Sequence, residues 1–317
     1  MMSIILLKLE IILILFFIGY GFTEVLLPAK FKERAFWFYP WLATVLISFM
    51  GAVLYYGTIS MNIGVYFIIA ISIFLFVYAL LGRHHKNIFS RENMVIFLII
   101  VTLSLLLSSS FNFFSLTEKT EFLKTNSIYG TIGLNRSFYK DSDLIGSASL
   151  IAFFSVFLKQ NINMVANSLA SIYLMLLFPL IYGFSKNSAI SSVLSAGAVV
   201  TIYFLLKLSN LSLFHLIFLG IIFVFSILIS HYLSFISKAK DYIVYPTLYE
   251  LLVAMVISSL LTIYPLGFRI VFGLLIFAGL LNLFFRKKQK IWFYLGKVII
   301  FAVIINPIIF GAVLCSK

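Results

Sequence analysis

One cysteine, Cys315, is all the chain contains. That excludes an intrachain disulfide and any cysteine metal cluster. Charge is nearly as scarce: charged residues are 10% of the 317, where a soluble domain carries about 25%. Acidic residues number only ten. The four histidines offer no metal site, because His84 and His85 sit in a basic connection while His215 and His231 fall near opposite ends of one predicted span. No glycine-rich phosphate loop, H-E-x-x-H or serine nucleophile elbow occurs in a usable context, which removes the chemistry those motifs carry. No internal repeat is visible, so the inverted halves of a secondary transporter find no support. Short alternating segments of the porin type are missing too, which leaves helices to satisfy the backbone in lipid.

What the chain has instead is apolar length. Hydrophobic residues make up 63% of it, with 36 Phe and 17 Tyr. Runs of about twenty apolar residues recur from end to end, each long enough to cross a hydrocarbon core of ~30 Å as a helix. The aromatics match that solvent, Phe facing lipid and Tyr favouring the interface. The expectation is an all-α, polytopic transmembrane protein with about ten spans: 4–27, 37–57, 62–82, 93–112, 163–184, 188–207, 211–236, 245–264, 267–285 and 291–314. The N-terminal stretch is read as the first of these, because Lys8 and Glu10 interrupt it and no small-residue cleavage site follows. One integrated membrane domain results, with a four-span bundle over 1–112, an external segment over 113–162 and a six-span bundle over 163–317.

The net charge of +13 would point to nucleic acid in a soluble protein. Here the basic residues stand in short connections, where the positive-inside bias accounts for them, and no nucleic-acid partner is expected. Lys30, Lys32 and Arg34, then Arg83, Lys86 and Arg91, mark two cytoplasmic turns. The run 145–158, IGSASLIAFFSVFL, decides the second half. If it spanned, Lys186, Lys238, Lys240, Arg286, Lys287, Lys288 and Lys290 would all lie outside, against that bias. At 1.5 Å per residue it reaches only about 21 Å. It is therefore expected as an external interfacial or re-entrant helix, with both termini outside.

The external segment preceding it ends in SFYKDSD, which pairs Asp141 with Asp143. Carboxylates two apart can take a proton from a hydroxyl or share a hard cation such as Mg²⁺ or Mn²⁺. Against this, Asp143 suits the N-cap of the following helix, and Asp141 beside Lys140 makes an ordinary surface pair. Arg136 and Lys140 flank the acids, and Arg269 follows the Pro265 turn on the same side; each is a candidate phosphate contact. Glu118 and Glu121 read as a local amphipathic turn with Lys119 and Lys124. Inside the spans, Lys8 and Glu10 are read as snorkelling outward, and Glu250 as a group two turns into its helix.

A long external loop with a D-x-D-like pair, a short surface helix, then a span ending in a basic turn (MVANSLASIYLMLLFPLIYGFSKNS) resembles the core of the GT-C superfamily of membrane glycosyltransferases. The resemblance covers about 113–285 and is one of layout, with four spans ahead of the acidic loop where that family usually has one. It implies transfer of a sugar from a polyprenyl-phosphate-linked donor at the outer face of a bacterial-type plasma membrane. Membrane lipid and the lipid-linked donor would be the partners, with Asp141 or Asp143 as general base or ligand to a divalent cation. The alternatives are a transporter or membrane-complex subunit using Glu250, and a lipid-linked polysaccharide polymerase or flippase using Arg136 and Arg269.

The charge-derived topology has a direct check. In a Cys315→Ser background, Lys32→Cys and Lys288→Cys are expected to resist a membrane-impermeant maleimide in intact cells, while Thr125→Cys reacts.

Overall fold

The fold is that of a computed structural model, which describes residues 2–27, 35–56, 59–81, 91–106, 120, 124, 144–184, 213–238, 248–264, 268, 269, 273, 296–300, 302 and 304. Among the described residues every regular element is α-helical. In chain order the helices are α1 (Met2–Leu26), α2 (Ala35–Tyr56), α3 (Met61–Leu81), α4 (Arg91–Leu106), α5 (Ile145–Phe157), α6 (Ile162–Phe184), α7 (Leu213–Lys238) and α8 (Leu248–Ile263). Three of them, α1, α2 and α3, are long and apolar enough to cross a membrane, or four spans if the bent α5–α6 pair is counted as one. Shorter apolar helices accompany them. The expected span 188–207 lies outside the described residues, as does most of the chain expected to form the last two spans.

Helix α2 is the axle of the bundle. Its span is 89% buried, against 28% for α3, and Phe38, Trp41 and Leu42 are wholly enclosed. Lipid is as apolar as leucine, so helices gather in a membrane by close packing and hydrogen bonds rather than by escaping solvent. Glycine supplies that closeness here. A Cβ on Gly19 of α1 would overlap the Tyr39 carbonyl of α2, and one on Gly220 of α7 would enter the Trp41 ring. Tyr173 of α6 closes the same layer, its ring 5.3 Å from that of Trp41 and its hydroxyl bonded to Thr44. On the far side Ser259 of α8 donates to the Val45 carbonyl at 3.0 Å. The outward face of α3 is apolar and uncovered, with Ile63, Tyr66, Phe67 and Phe74 more than half exposed, as a lipid-facing helix should be.

Helix α5 does not lie on a surface. Every residue from Ile145 to Ser155 is buried, so no face is left for an interface, and the bent α5–α6 pair is either a re-entrant loop or one broken span. Its depth follows from α2: Ser48 donates to the Gly146 carbonyl at 3.1 Å, and Ser48 lies about 12 Å short of the Tyr56 end by helical rise. The other end of α5 returns to the level of the first turns of α3. The axis then turns by 116° into α6, whose start is capped by Asn161, its side chain accepting the Asn163 N–H at 2.8 Å.

Stability should track these close approaches. Gly19→Ala and Gly220→Ala force overpacking, which costs about 1–3 kcal/mol. Gly273→Ala has nothing within 4 Å of the added carbon and serves as the control. Melting in detergent is expected to fall for the first two and hold for the third.

Candidate functional site

The site to be weighed is the place where α5 begins. Sequence GSAS, residues 146–149, puts four small side chains in a row, and all four are buried. Small residues let backbones meet on every side. A Cβ on Gly146 would stand 2.7 Å from the Thr262 hydroxyl and 3.2 Å from the Ile263 nitrogen, so the last turn of α8 is pressed against the first turn of α5. Hydroxyls crowd this contact. Besides Ser48, Ser149 bonds to the Ile145 carbonyl at 2.7 Å and Thr262 to that of Ser259 at 3.0 Å. The Ser147 and Ser258 hydroxyls are buried with no hydrogen-bond partner among the described residues.

The helix start itself departs from expectation. Leu144, not Asp143, is the residue at the N-cap, and it is left-handed, with φ 68° and no side-chain hydrogen bond to the helix. An alkyl side chain can accept nothing, so Leu144 does not give the first-turn N–H groups of α5 the cap that Asn161 gives α6. Those groups concentrate the positive end of the helix dipole, here inside the bundle.

Of the residues singled out in the sequence, Asp141, Asp143, Arg136 and Lys140 lie outside the described residues, as do Glu118, Glu121 and Lys119. Arg269 is exposed, just past Phe268, whose N–H donates to the Tyr264 carbonyl at 2.9 Å. Arg269 therefore follows the same end of α8 that packs on Gly146. Tyr264 also meets His215 edge-on, with ring centroids 5.0 Å apart, which makes that histidine part of an aromatic contact. No cluster of three metal-ligating side chains occurs among the described residues.

Ionisable groups within spans are costly in lipid and mark function unless a partner explains them. Partners explain three. Lys8 does not snorkel: it is buried and donates to the Ser104 carbonyl of α4 at 2.7 Å. Glu24 accepts the Tyr39 hydroxyl at 3.0 Å, tying α1 to α2. Glu250 stands in the first turn of α8 rather than two turns in, and Lys297 meets both its oxygens at 3.1 Å. That partly buried pair pins the C-terminal helical segment to α8, which leaves Glu250 little role in an ion path. A cavity of about 580 Å³ between α1 and α4 is lined by Phe16, Tyr20, Phe36, Tyr39, Phe76 and Phe97 among others, and presents almost no polar surface.

No family model, curated protein or solved structure matches the chain. The site must be read from its own residues.

The Glu250–Lys297 pair gives a clean test of its pinning role. Breaking a fully buried pair by removing one partner costs about 3–5 kcal/mol, and this pair, with Lys297 partly exposed, should lose less. Glu250→Gln or Lys297→Met alone is expected to lower the melting temperature, and the double substitution to recover much of the loss.

Proposed function

We propose that the chain is a GT-C-like membrane glycosyltransferase that takes a sugar from a polyprenyl-phosphate-linked donor at the outer half of the membrane. The observation that carries this reading is the buried start of α5, with an apolar residue at its N-cap, one residue after the Asp141–Ser142–Asp143 sequence. A helix N-terminus favours negative charge, and its influence grows where water is excluded. A carboxylate there is held ready as a base, and a departing phosphate is stabilised by the same dipole. Arg269, beyond the α8 end that packs on Gly146, is the phosphate contact from the second half of the chain; Arg136 and Lys140 are the contacts from the loop.

The chemistry runs as a single displacement. One carboxylate of the pair takes the proton of the acceptor hydroxyl. The hydroxyl oxygen bonds to the anomeric carbon as the bond from that carbon to the lipid-phosphate oxygen breaks, its electron pair leaving with the phosphate. A divalent cation shared by the two carboxylates would supply further charge at that oxygen. A transporter reading draws on the same half-helix, because broken helices with inward N-termini also build transport sites. The loss of Glu250 to an ion pair weighs against it.

Asp141→Asn and Asp143→Asn, each in a protein shown to insert and melt normally, decide the matter. Transfer from a polyprenyl-phosphate-linked sugar should fall by roughly 10²–10⁴-fold in the variant that removes the base. Undiminished transfer in both would reject a catalytic pair.

A further inference from the structure

Both ends of α5 are turned by residues that are not glycine yet stand in the left-handed region: Leu144 at φ 68° and Lys159 at φ 53°. The second is the more telling. Lys159 occupies the position after the helix end where glycine is the usual residue, and its conformation carries a steric cost that glycine would remove. The turn is firmly set, with the Ser155 hydroxyl donating to the Gln160 carbonyl at 2.6 Å and the Gln160 N–H to the Ser155 carbonyl at 3.1 Å. Strain kept at a defined place asks for a use.

Lys159 borders a cavity of about 780 Å³ between α5 and α3, which Lys124 borders from the loop side. Asn62 fixes that second lysine's backbone, donating to its carbonyl at 3.2 Å. The rim is thus cationic and amide-rich, from Lys124, Lys159, Asn62 and Gln160, while Val65, Ile69 and Phe157 form an apolar floor. The floor continues beyond the cavity. Tyr66, Ile73 and Leu80 recur every seventh residue of α3, which puts them on one stripe, and they are 79%, 49% and 46% exposed. A charged head above an apolar track is the shape of an amphiphile.

We propose that this cavity seats the phosphodiester headgroup of an anionic membrane phospholipid, its chain lying along the Tyr66–Ile73–Leu80 stripe of α3. One ammonium group neutralises the single charge of the phosphodiester and the second adds a charge-assisted hydrogen bond, while the two amides hydrogen-bond its remaining oxygens or the glycerol. The bound lipid bridges α3 to the turn between α5 and α6. It is distinct from a sugar donor, because the rim lies at the far end of α5 from Leu144, about 20 Å away by helical rise. The proposal therefore does not rest on the transferase reading.

The test uses the full chain in phosphatidylcholine nanodiscs with and without phosphatidylglycerol, reading retained lipid by native mass spectrometry and unfolding by temperature. The wild type should keep phosphatidylglycerol and melt higher in its presence. Lys124→Ala/Lys159→Ala should bind it about 30-fold more weakly, the combined worth of two lysines beside an anionic lipid. Lys159→Gly should melt no lower than wild type in phosphatidylcholine, since the turn relaxes, while losing phosphatidylglycerol retention; a lysine with only a structural role would not separate the two. Inorganic phosphate should not displace the lipid. Undiminished retention in the double variant and in Lys159→Gly would overturn the proposal. So would displacement by phosphate alone, or binding of a polyprenyl phosphate with none of phosphatidylglycerol.

Discussion

A helix that starts inside a membrane bundle must have its first N–H groups answered by something other than water, and the bundle must open just enough to admit it. That constraint organises this protein. Helix α5 is admitted because residues 146–149 carry so little side chain that α2 and α8 can come within contact of its backbone. α2 in turn is enclosed because α1 and α7 approach it at glycines, and α6 and α8 reach it through Tyr173 and Ser259. Without a hydrophobic force between helices in lipid, these near-contacts and buried hydroxyl bonds define the arrangement. The ion pairs and charge-assisted bonds of Lys8, Glu24 and Glu250 then fix which neighbours meet.

The two ends of α5 have different surroundings and divide the chemistry accordingly. Its N-terminus is dry, hydroxyl-lined and faced by the end of α8, an environment that strengthens the field of the helix dipole. Its C-terminus emerges beside α3 at a cationic, amide-rich cavity open to the lipid-facing stripe. One helix of 13 residues thus connects the proposed transfer site with the proposed lipid seat. A lipid seated on Lys159 would bear on the turn that holds α5 in place, and so on the position of its other end.

Much of the fold could be read from hydropathy and charge. The runs around 4–27, 37–57, 62–82, 93–112, 163–184, 211–236 and 245–264 each coincide with a helix, with ends displaced by only a few residues save at 93–112, of which α4 covers the part to Leu106. The burial of α5 was less legible. A mostly apolar helix of 13 residues looks alike whether it lies at an interface or inside a bundle, and only the GSAS sequence distinguishes the two, since a lipid-facing surface has no need of consecutive small residues. The cap is hidden for a related reason: Asp143 has the better side chain for the task, but the left-handed turn at Leu144 shifts the helix start by one residue. The partners of Lys8 and Glu250 come from helices 96 and 47 residues away, a separation that no local pattern reveals. Lys159 carried no signal beyond being a base in a short turn, because its meaning lies in a backbone angle.

The sheathing of α5 by protein on all sides is tested most directly by cysteine scanning. Each position from 145 to 161 is replaced in turn by cysteine in a Cys315→Ser background and challenged with a membrane-impermeant maleimide. A sheathed helix gives an unbroken silent block from 145 to 155, with labelling only near Phe157, Lys159, Gln160 and Asn161. Labelling that instead recurs every three to four residues within 145–155 would describe a helix lying half-exposed at a surface, and would contradict it.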